Sequence, residues 1–314
     1  MLLDKRQQTQ IGSSFKLINN FTILSDVRVT QPVDTVVAMA VYVGDKPMWV
    51  EQAVNSLMDQ TYKKNIIAIV IDGDISDEIL TYLVDISRHL DNMLLVRSYI
   101  NRGLSTCMNF IVDWTLVNVK NAKYFFRMDS DDISVAHRLE KQITFLNKHT
   151  NISVLGSGLY EINEQGKKVG QRKLPQRHAE IIRFLPKRCS INHPTVVVRI
   201  DIFKKGYRYR EDLMNTQDYF FWADLAAAGF KFANLSDKLL MFRRVNDFYK
   251  RRGLSKSVNE FKARFYTMKV LNKYSLGNVL YAFAVLILRL MPARVVKIAY
   301  KVDRYILNKR VRHD

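Results

Sequence analysis

Three aspartates crowd into four positions of the stretch Arg127-Met128-Asp129-Ser130-Asp131-Asp132. Neighbouring carboxylates repel one another unless a cation neutralises them, and hard divalent ions take oxygen ligands. An Asp-x-Asp at the end of a strand can ligate a metal that also grips a substrate's phosphates, where a bare acidic turn would merely be solvated. The run leading into it, Ala122 to Met128, carries Tyr124, Phe125 and Phe126 and suits a buried strand. Two further carboxylates sit at element ends. Asp72 follows the apolar run Ile66 to Ile71, and Asp218 opens YFFWADLAAAG, a helical run that Gly229 can terminate. A carboxylate at a helix start can act as a general base or simply cap the helix. Tyr219 and Trp222 beside Asp218 are expected to serve as aromatic platforms next to that carboxylate.

The elements that must position these residues alternate. Thr35 to Val43, Ile66 to Ile71, Met93 to Val96 and Ala122 to Met128 read as buried strands. Between them, Pro47 opens a helix with Trp49, Val50, Ala53, Val54, Leu57 and Met58 on one face. Ser76 caps a second helix, and Asn101-Arg102-Gly103-Leu104 leads into a third ending near Val117. This alternation predicts an α/β fold with a right-handed, mostly parallel sheet, whose ligands bind at the strands' carboxyl ends. Tyr42, Asp72 and Asp129 all fall there. His137 to His149 reads as a helix, and Ile152 to Leu159, Thr195 to Val198 and Lys238 to Phe242 as later strands. Met1 to Asp34 shows no clear periodicity and is read as an N-terminal extension.

The chain has 314 residues, 48% hydrophobic and 25% charged, which suits a globular domain with a substantial core. Two cysteines, Cys107 and Cys189, give neither a disulfide framework nor zinc spacing, and the polar first 20 residues lack an apolar leader core. A cytoplasmic location is expected. The net charge is +19, and residues 251–314 hold 15 Lys/Arg against 3 Asp/Glu, leaving only +7 for the rest. That asymmetry points to an anionic partner. The uncharged run from Tyr274 covers 15 residues, short of the roughly 20 that span a bilayer. Beyond Pro292, Arg294, Lys297, Lys301 and Arg304 recur beside Val295, Ile298, Val302 and Ile306. A basic amphipathic helix of this kind suits an anionic membrane surface, the alternative being a helix packed on the preceding domain with its basic face solvated. The expected organisation is an extension over 1–34, a catalytic domain over 35–250 and a basic helical tail over 251–314.

Six ordered segments follow the strand-helix opening VVAMAVYVGDKPMWVEQAVNSLMDQTY: IVIDG, NRGLSTCMN, RMDSDD, HRLEKQITFL, INHPTVVVR and QDYFFW. Together, over about Thr35 to Arg243, they resemble the family 2 glycosyltransferases, inverting enzymes of the GT-A fold. The closest resemblance is to bacterial transferases that build O-antigen, capsule or exopolysaccharide repeat units. It implies a Rossmann-like, mostly parallel central sheet flanked by helices. Ala40 and Tyr42 would line the nucleotide pocket, with the Tyr42 ring stacked on uracil and Asp72 accepting the uracil N–H. Asn101, Gly103 and Asn109 would border the nucleotide-sugar. Asp129 and Ser130 would contact the donor, Asp131 with Asp129 would hold Mn²⁺ or Mg²⁺, and Asp218 would be the general base. Two departures stand out: Ile71 replaces the first of two common aspartates, and Gln217 stands where many members carry Glu.

The expected activity is a non-processive, metal-dependent transfer from a UDP-sugar to a lipid-linked saccharide, at the inner face of the cytoplasmic membrane. The Gln-x-x-Arg-Trp motif of processive synthases is absent after Asp218. A sugar nucleotidyltransferase is the alternative, but the Gly-rich basic loop expected after the first strand is replaced by Val43-Gly44-Asp45. No zinc finger, helix-turn-helix or RNP-like aromatic motif supports nucleic acid as the partner of the basic tail. His193, in Asn192-His193-Pro194, and His137 are read as structural neighbours of the site, and Cys107 as a small core residue.

Overall fold

A computed structural model of the chain describes residues 17–18, 20–213, 215–245 and 254–290. The amphipathic repeat beyond Pro292 lies outside the described residues. Two short strands, β1 (Leu17–Ile18) and β2 (Phe21–Ser25), come first. A regular alternation follows: β3 (Thr35–Tyr42), α1 (Pro47–Met58), β4 (Asn65–Asp72), α2 (Asp77–His89), β5 (Met93–Ser98), α3 (Leu104–Asn118) and β6 (Tyr124–Arg127). Next come β7 (Ile133–Ser134), α4 (Arg138–Lys148), β8 (Ile152–Ile162), β9 (Lys168–Arg172), α5 (His178–Phe184), a 3-10 turn at His193–Thr195 and β10 (Val197–Arg199). The remaining elements are α6 (Ile200–Lys204), α7 (Gln217–Ala227), β11 (Lys231–Arg243), α8 (Leu254–Val270) and α9 (Leu276–Leu290).

Among the described residues the strands form one sheet in the order β1-β2-β5-β4-β3-β6-β10-β8-β11-β7, with β9 paired to β8. The centre, β5-β4-β3-β6, is parallel, as the alternation predicts. Antiparallel strands extend it on both sides. β2 pairs with β5, and β10 lies between β6 and β8. The β2 strand falls in the segment that showed no periodicity. Phe21 and Ile23 alone are buried in it, and two inward residues make no readable pattern.

The chain moves outward from β3 to β4 to β5 and then returns to β6 on the other side of β3. That reversal opens a crevice at the carboxyl ends of β3, β4 and β6. Both faces of the sheet are covered. Val36, Ala38, Ile66, Ala68, Val70 and Phe125 face one core with α3 and α7. Val37, Met39, Val41, Ile67, Ile69, Ile71 and Phe126 face the other, with α1, α2 and α4. This two-sided burial is why the strands read as continuous apolar runs.

Local signals behave as the sequence predicts. Pro47 is the first residue of α1, and Ser76 Oγ accepts the Ile79 N–H at 3.4 Å. Gly229, at φ +84°, follows the end of α7. Gly73, also at φ +84°, turns the chain after β4, and a Cβ there would stand 3.0 Å from the Asn101 backbone nitrogen. Gly73→Ala should cost about 1–2 kcal/mol from the left-handed conformation alone. Urea unfolding should show a lower midpoint; an unchanged midpoint would mean the turn relaxes freely.

Candidate active site

One cavity of about 760 Å³ opens at the predicted crevice. Ala40, Tyr42, Asp72, Asn101, Gly103, Asp129, Ser130, Asp131 and Asp218 all line it, so residues from five separate stretches meet. Asn109 does not line it. Its amide instead donates to Tyr209 O at 2.9 Å and to Glu211 Oε1 at 2.8 Å, and accepts from the Tyr209 N–H at 3.0 Å. It ties α3 to the segment before α7.

Asp72 ends β4 with its carboxylate turned to the start of α3, where it accepts the N–H groups of Arg102 at 2.7 Å and Gly103 at 2.9 Å. Gly103 stands before α3 at φ +86°, a conformation that glycine adopts without strain. The loop Asn101–Gly103 is therefore held against the end of β4 by the side chain of the strand's last residue. Cys107 is buried nearby, as expected for a small core residue.

The acidic loop is pinned at both ends. β6 precedes it, and β7 follows it and pairs with Leu240 and Met241 of β11. Oxygens of Asp129, Asp131 and Asp132 all lie within 4.8 Å of one another. Asp129 pairs with Arg127 at 2.5 Å. Asp132, fully buried, accepts the Arg243 N–H at 2.8 Å, and its other oxygen has no hydrogen-bond partner among the described residues. Arg243 also donates from Nε to Asp131 O at 2.8 Å and from a terminal nitrogen to Gln52 Oε1 at 2.7 Å, bracing the loop against α1. Arg138, wholly buried beneath, donates to Arg127 O at 2.8 Å. Burial and the Asp129 and Asp45 charges push the Asp131 carboxyl up to about 7. Asp132 is pushed up as well, first by burial and then by its acidic neighbours. Clustered hard oxygens, one of them orphaned and buried, are the donor set a divalent ion takes. His137 directly precedes α4 and is not part of the cluster.

Asp218 lies in the first turn of α7. Thr216, at φ +66°, stands at the position before α7 without a side-chain hydrogen bond to the helix, and Asp218 is the second residue inside it. Burial is the main reason its carboxyl is pushed up to about 6, opposed by the Tyr219 N–H and the Lys256 ammonium. The expected aromatic platforms are corrected: Tyr219 and Trp222 are buried in the core and do not line the cavity. α7 is apolar nearly all round, so its aromatics fill the protein interior. Tyr42 and Phe242 are the aromatic side chains in the cavity wall among the described residues. His193 also lines the cavity. Its Nε2 lies 3.2 Å from the Tyr209 hydroxyl, and burial holds it neutral at physiological pH.

Comparison with known proteins settles the family. The family model for glycosyl transferase family 2 matches residues 37–206, more than half of the chain. The chain belongs to glycosyl transferase family 2. This glycosyltransferase is 32% identical over 280 residues to an uncharacterized glycosyltransferase of Haemophilus influenzae, covering 84% of this chain and 97% of that one. It is 30% identical over 271 residues to the amylovoran biosynthesis glycosyltransferase AmsE of Erwinia amylovora, covering 85% and 98%. The Escherichia coli UDP-Gal:alpha-D-GlcNAc-diphosphoundecaprenol beta-1,3-galactosyltransferase is 28% identical over 233 residues, covering 73% and 82%. The S. aureus TarS 1–349 structure in complex with UDP-GlcNAc shares the GT-A fold at a TM-score of 0.54 and 18% identity, over 84% of this chain and 83% of that one.

Several residues of this transferase's site escaped the sequence. Asp45 accepts the Tyr42 N–H at 2.9 Å and the Ser130 hydroxyl at 2.8 Å, and burial pushes its carboxyl up to about 6. Its place directly after an apolar strand was the available signal. Arg138 and Arg243 gave none, because an arginine buried under a carboxylate reads in sequence like any surface arginine.

The crowded carboxylates give the metal-free protein a defined pH response. The folded state binds protons at Asp131 more tightly than the unfolded chain does, so stability should fall as pH rises between about 4 and 7. In EDTA, the melting temperature should be lower at alkaline pH than near pH 6. Asp131→Asn should raise it at alkaline pH and flatten the dependence. An unchanged profile in that variant would show that Asp131 does not carry the strain.

Proposed function

We propose that this enzyme transfers a sugar, with inversion, from a UDP-sugar to a lipid-linked saccharide in the building of a bacterial surface polysaccharide. What carries the reading is that Asp218 and the Asp129–Asp131 pair share one cavity, a base and a diphosphate site for a single substrate pair. The relatives' names favour polysaccharide building, and the undecaprenol-diphosphate galactosyltransferase relative favours a lipid-linked acceptor.

In this reading the uracil stacks on Tyr42, and its N–H meets Asp72, whose carboxylate is already oriented by Arg102 and Gly103. Ala40, Asn101, Gly103 and Ser130 form the walls around the nucleotide-sugar. Asp131 and Asp129 would hold Mn²⁺ or Mg²⁺, which neutralises the charge that develops on a diphosphate leaving group. Asp218 removes the proton of the acceptor hydroxyl as that oxygen attacks the anomeric carbon and the bond to the diphosphate breaks. A carboxyl pushed up to about 6 suits this task, being ionised at neutral pH yet a better base than an exposed aspartate. No helix among the described residues is long and apolar enough to cross a membrane. Access to a lipid-linked acceptor would come from peripheral binding of the basic tail, at the inner face of the cytoplasmic membrane.

Asp218→Asn keeps the shape of the side chain and removes the base. Turnover should drop by roughly 10²- to 10⁴-fold while UDP affinity stays nearly unchanged. In the wild type, kcat/KM at saturating metal should fall as pH drops through about 6, because the base becomes protonated. Lost UDP affinity with normal turnover at saturation would assign Asp218 to donor binding instead.

A further inference from the structure

Thr216 departs from two local preferences at once. It stands just before α7 at φ +66° and ψ 8°, a left-handed conformation that is strained for a β-branched residue. The other non-glycine residues at positive φ among the described residues are Asn20 and Asn272, and asparagine tolerates that region. A threonine before a helix ordinarily caps it with its hydroxyl. Here the hydroxyl makes no bond to the helix and donates to Asn215 Oδ1 at 3.0 Å. Strain of this kind persists only where the surroundings hold it in place. Its location matters: Asn215, Thr216, Gln217 and Asp218 all line the cavity. Thr216 O accepts the N–H groups of Tyr219 at 3.1 Å and Phe220 at 3.4 Å. The conformation of Thr216 therefore sets the first turn of α7, which carries Asp218.

The restraint on that turn comes from α8, a helix beyond the residues that the family model matches. Asn259 Nδ2 donates to Asn215 Oδ1 at 3.0 Å, the same oxygen that takes the Thr216 hydroxyl. Two donors on one oxygen fix which way the Asn215 amide faces. α8 is itself anchored on both sides of the turn. Arg264 Nε donates to Lys187 O at 2.8 Å, and the Tyr266 hydroxyl bonds to Asp224 of α7. The Tyr266 ring lies 5.1 Å from that of Phe220. Lys256, three residues before Asn259, also reaches the cavity wall, so one face of α8 is turned to the base.

We propose that Asn259 is a positioning residue for the reaction: through Asn215 it holds the left-handed Thr216 turn that presents Asp218 to the acceptor. This rests on the reading of Asp218 as the base and adds the element that aims it. A mere tether between α8 and its neighbours would affect stability without singling out turnover.

The test measures UDP release from UDP-glucose, UDP-galactose and UDP-N-acetylglucosamine by full-length protein in Mn²⁺, with water as the acceptor. The water oxygen bonds to the anomeric carbon, the bond to the diphosphate breaks and the proton passes to Asp218, so hydrolysis needs the same base. Asn259→Ala and Asn259→Leu should each lower kcat about tenfold, as expected for a displaced catalytic group, with KM unchanged. UDP affinity in Mn²⁺ should also stay unchanged, which shows that the variants are folded. Glycine adopts positive φ freely, so in a Thr216→Gly background the loss from Asn259→Ala should shrink to about twofold. Equal losses in both backgrounds would overturn the route through Thr216. A normal kcat in both Asn259 variants, with Asp218→Asn slowed, would overturn the positioning role alone. An Asp218→Asn variant as fast as the wild type would overturn the base and the positioning role together.

Discussion

Asp129, Asp131 and Asp132 hold oxygens within 4.8 Å of one another in a partly dry crevice, and the structure around them is built to tolerate that crowding. At such a separation two unit charges repel by roughly 3 kcal/mol at an effective dielectric of about 20. That is a large share of the 5–15 kcal/mol by which a typical domain is stable. Arg127, Arg138 and Arg243 supply positive charge nearby, and each also donates to the backbone or side chains of neighbouring elements. The three carboxylates are thereby held close together, and the remaining elements are arranged to keep them so.

That arrangement begins with the sheet. Parallel strands β3, β4 and β6 end together, so Tyr42, Asp72 and Asp129 reach the same crevice although they lie far apart in sequence. β7 and β11 then close the loop from the far side. Gln60, just after α1, donates to Ser134 Oγ and Val135 O and accepts the Leu139 N–H, fixing the exit of the loop to the start of α4. The site is thus a property of the sheet's reversal and of cross-links between elements, more than of any single motif.

Much of this was legible before any coordinates. Apolar runs ending at Val43, Ile71 and Met128 marked strand ends, because strands buried on both faces leave no polar alternation to confuse the pattern. Residues that act through long-range contacts were not legible. Arg243 lies 112 positions from Asp131, and no local pattern joins them. Tyr219 and Trp222 misled because their adjacency to Asp218 along a helix says nothing about which faces the helix buries. Asn109 misled in the same way: its motif placed it near the donor, and its amide went to the backbone of Tyr209.

We propose that the acidic cluster binds a divalent ion together with a nucleoside diphosphate. Calorimetric titration of UDP into the purified protein tests it most directly, once with Mn²⁺ and once with EDTA, for the wild type and Asp131→Ala. UDP should bind the wild type with Mn²⁺, and binding should be lost in EDTA and in the variant. Equal affinity in all three conditions would show that the cluster serves the fold and not the donor.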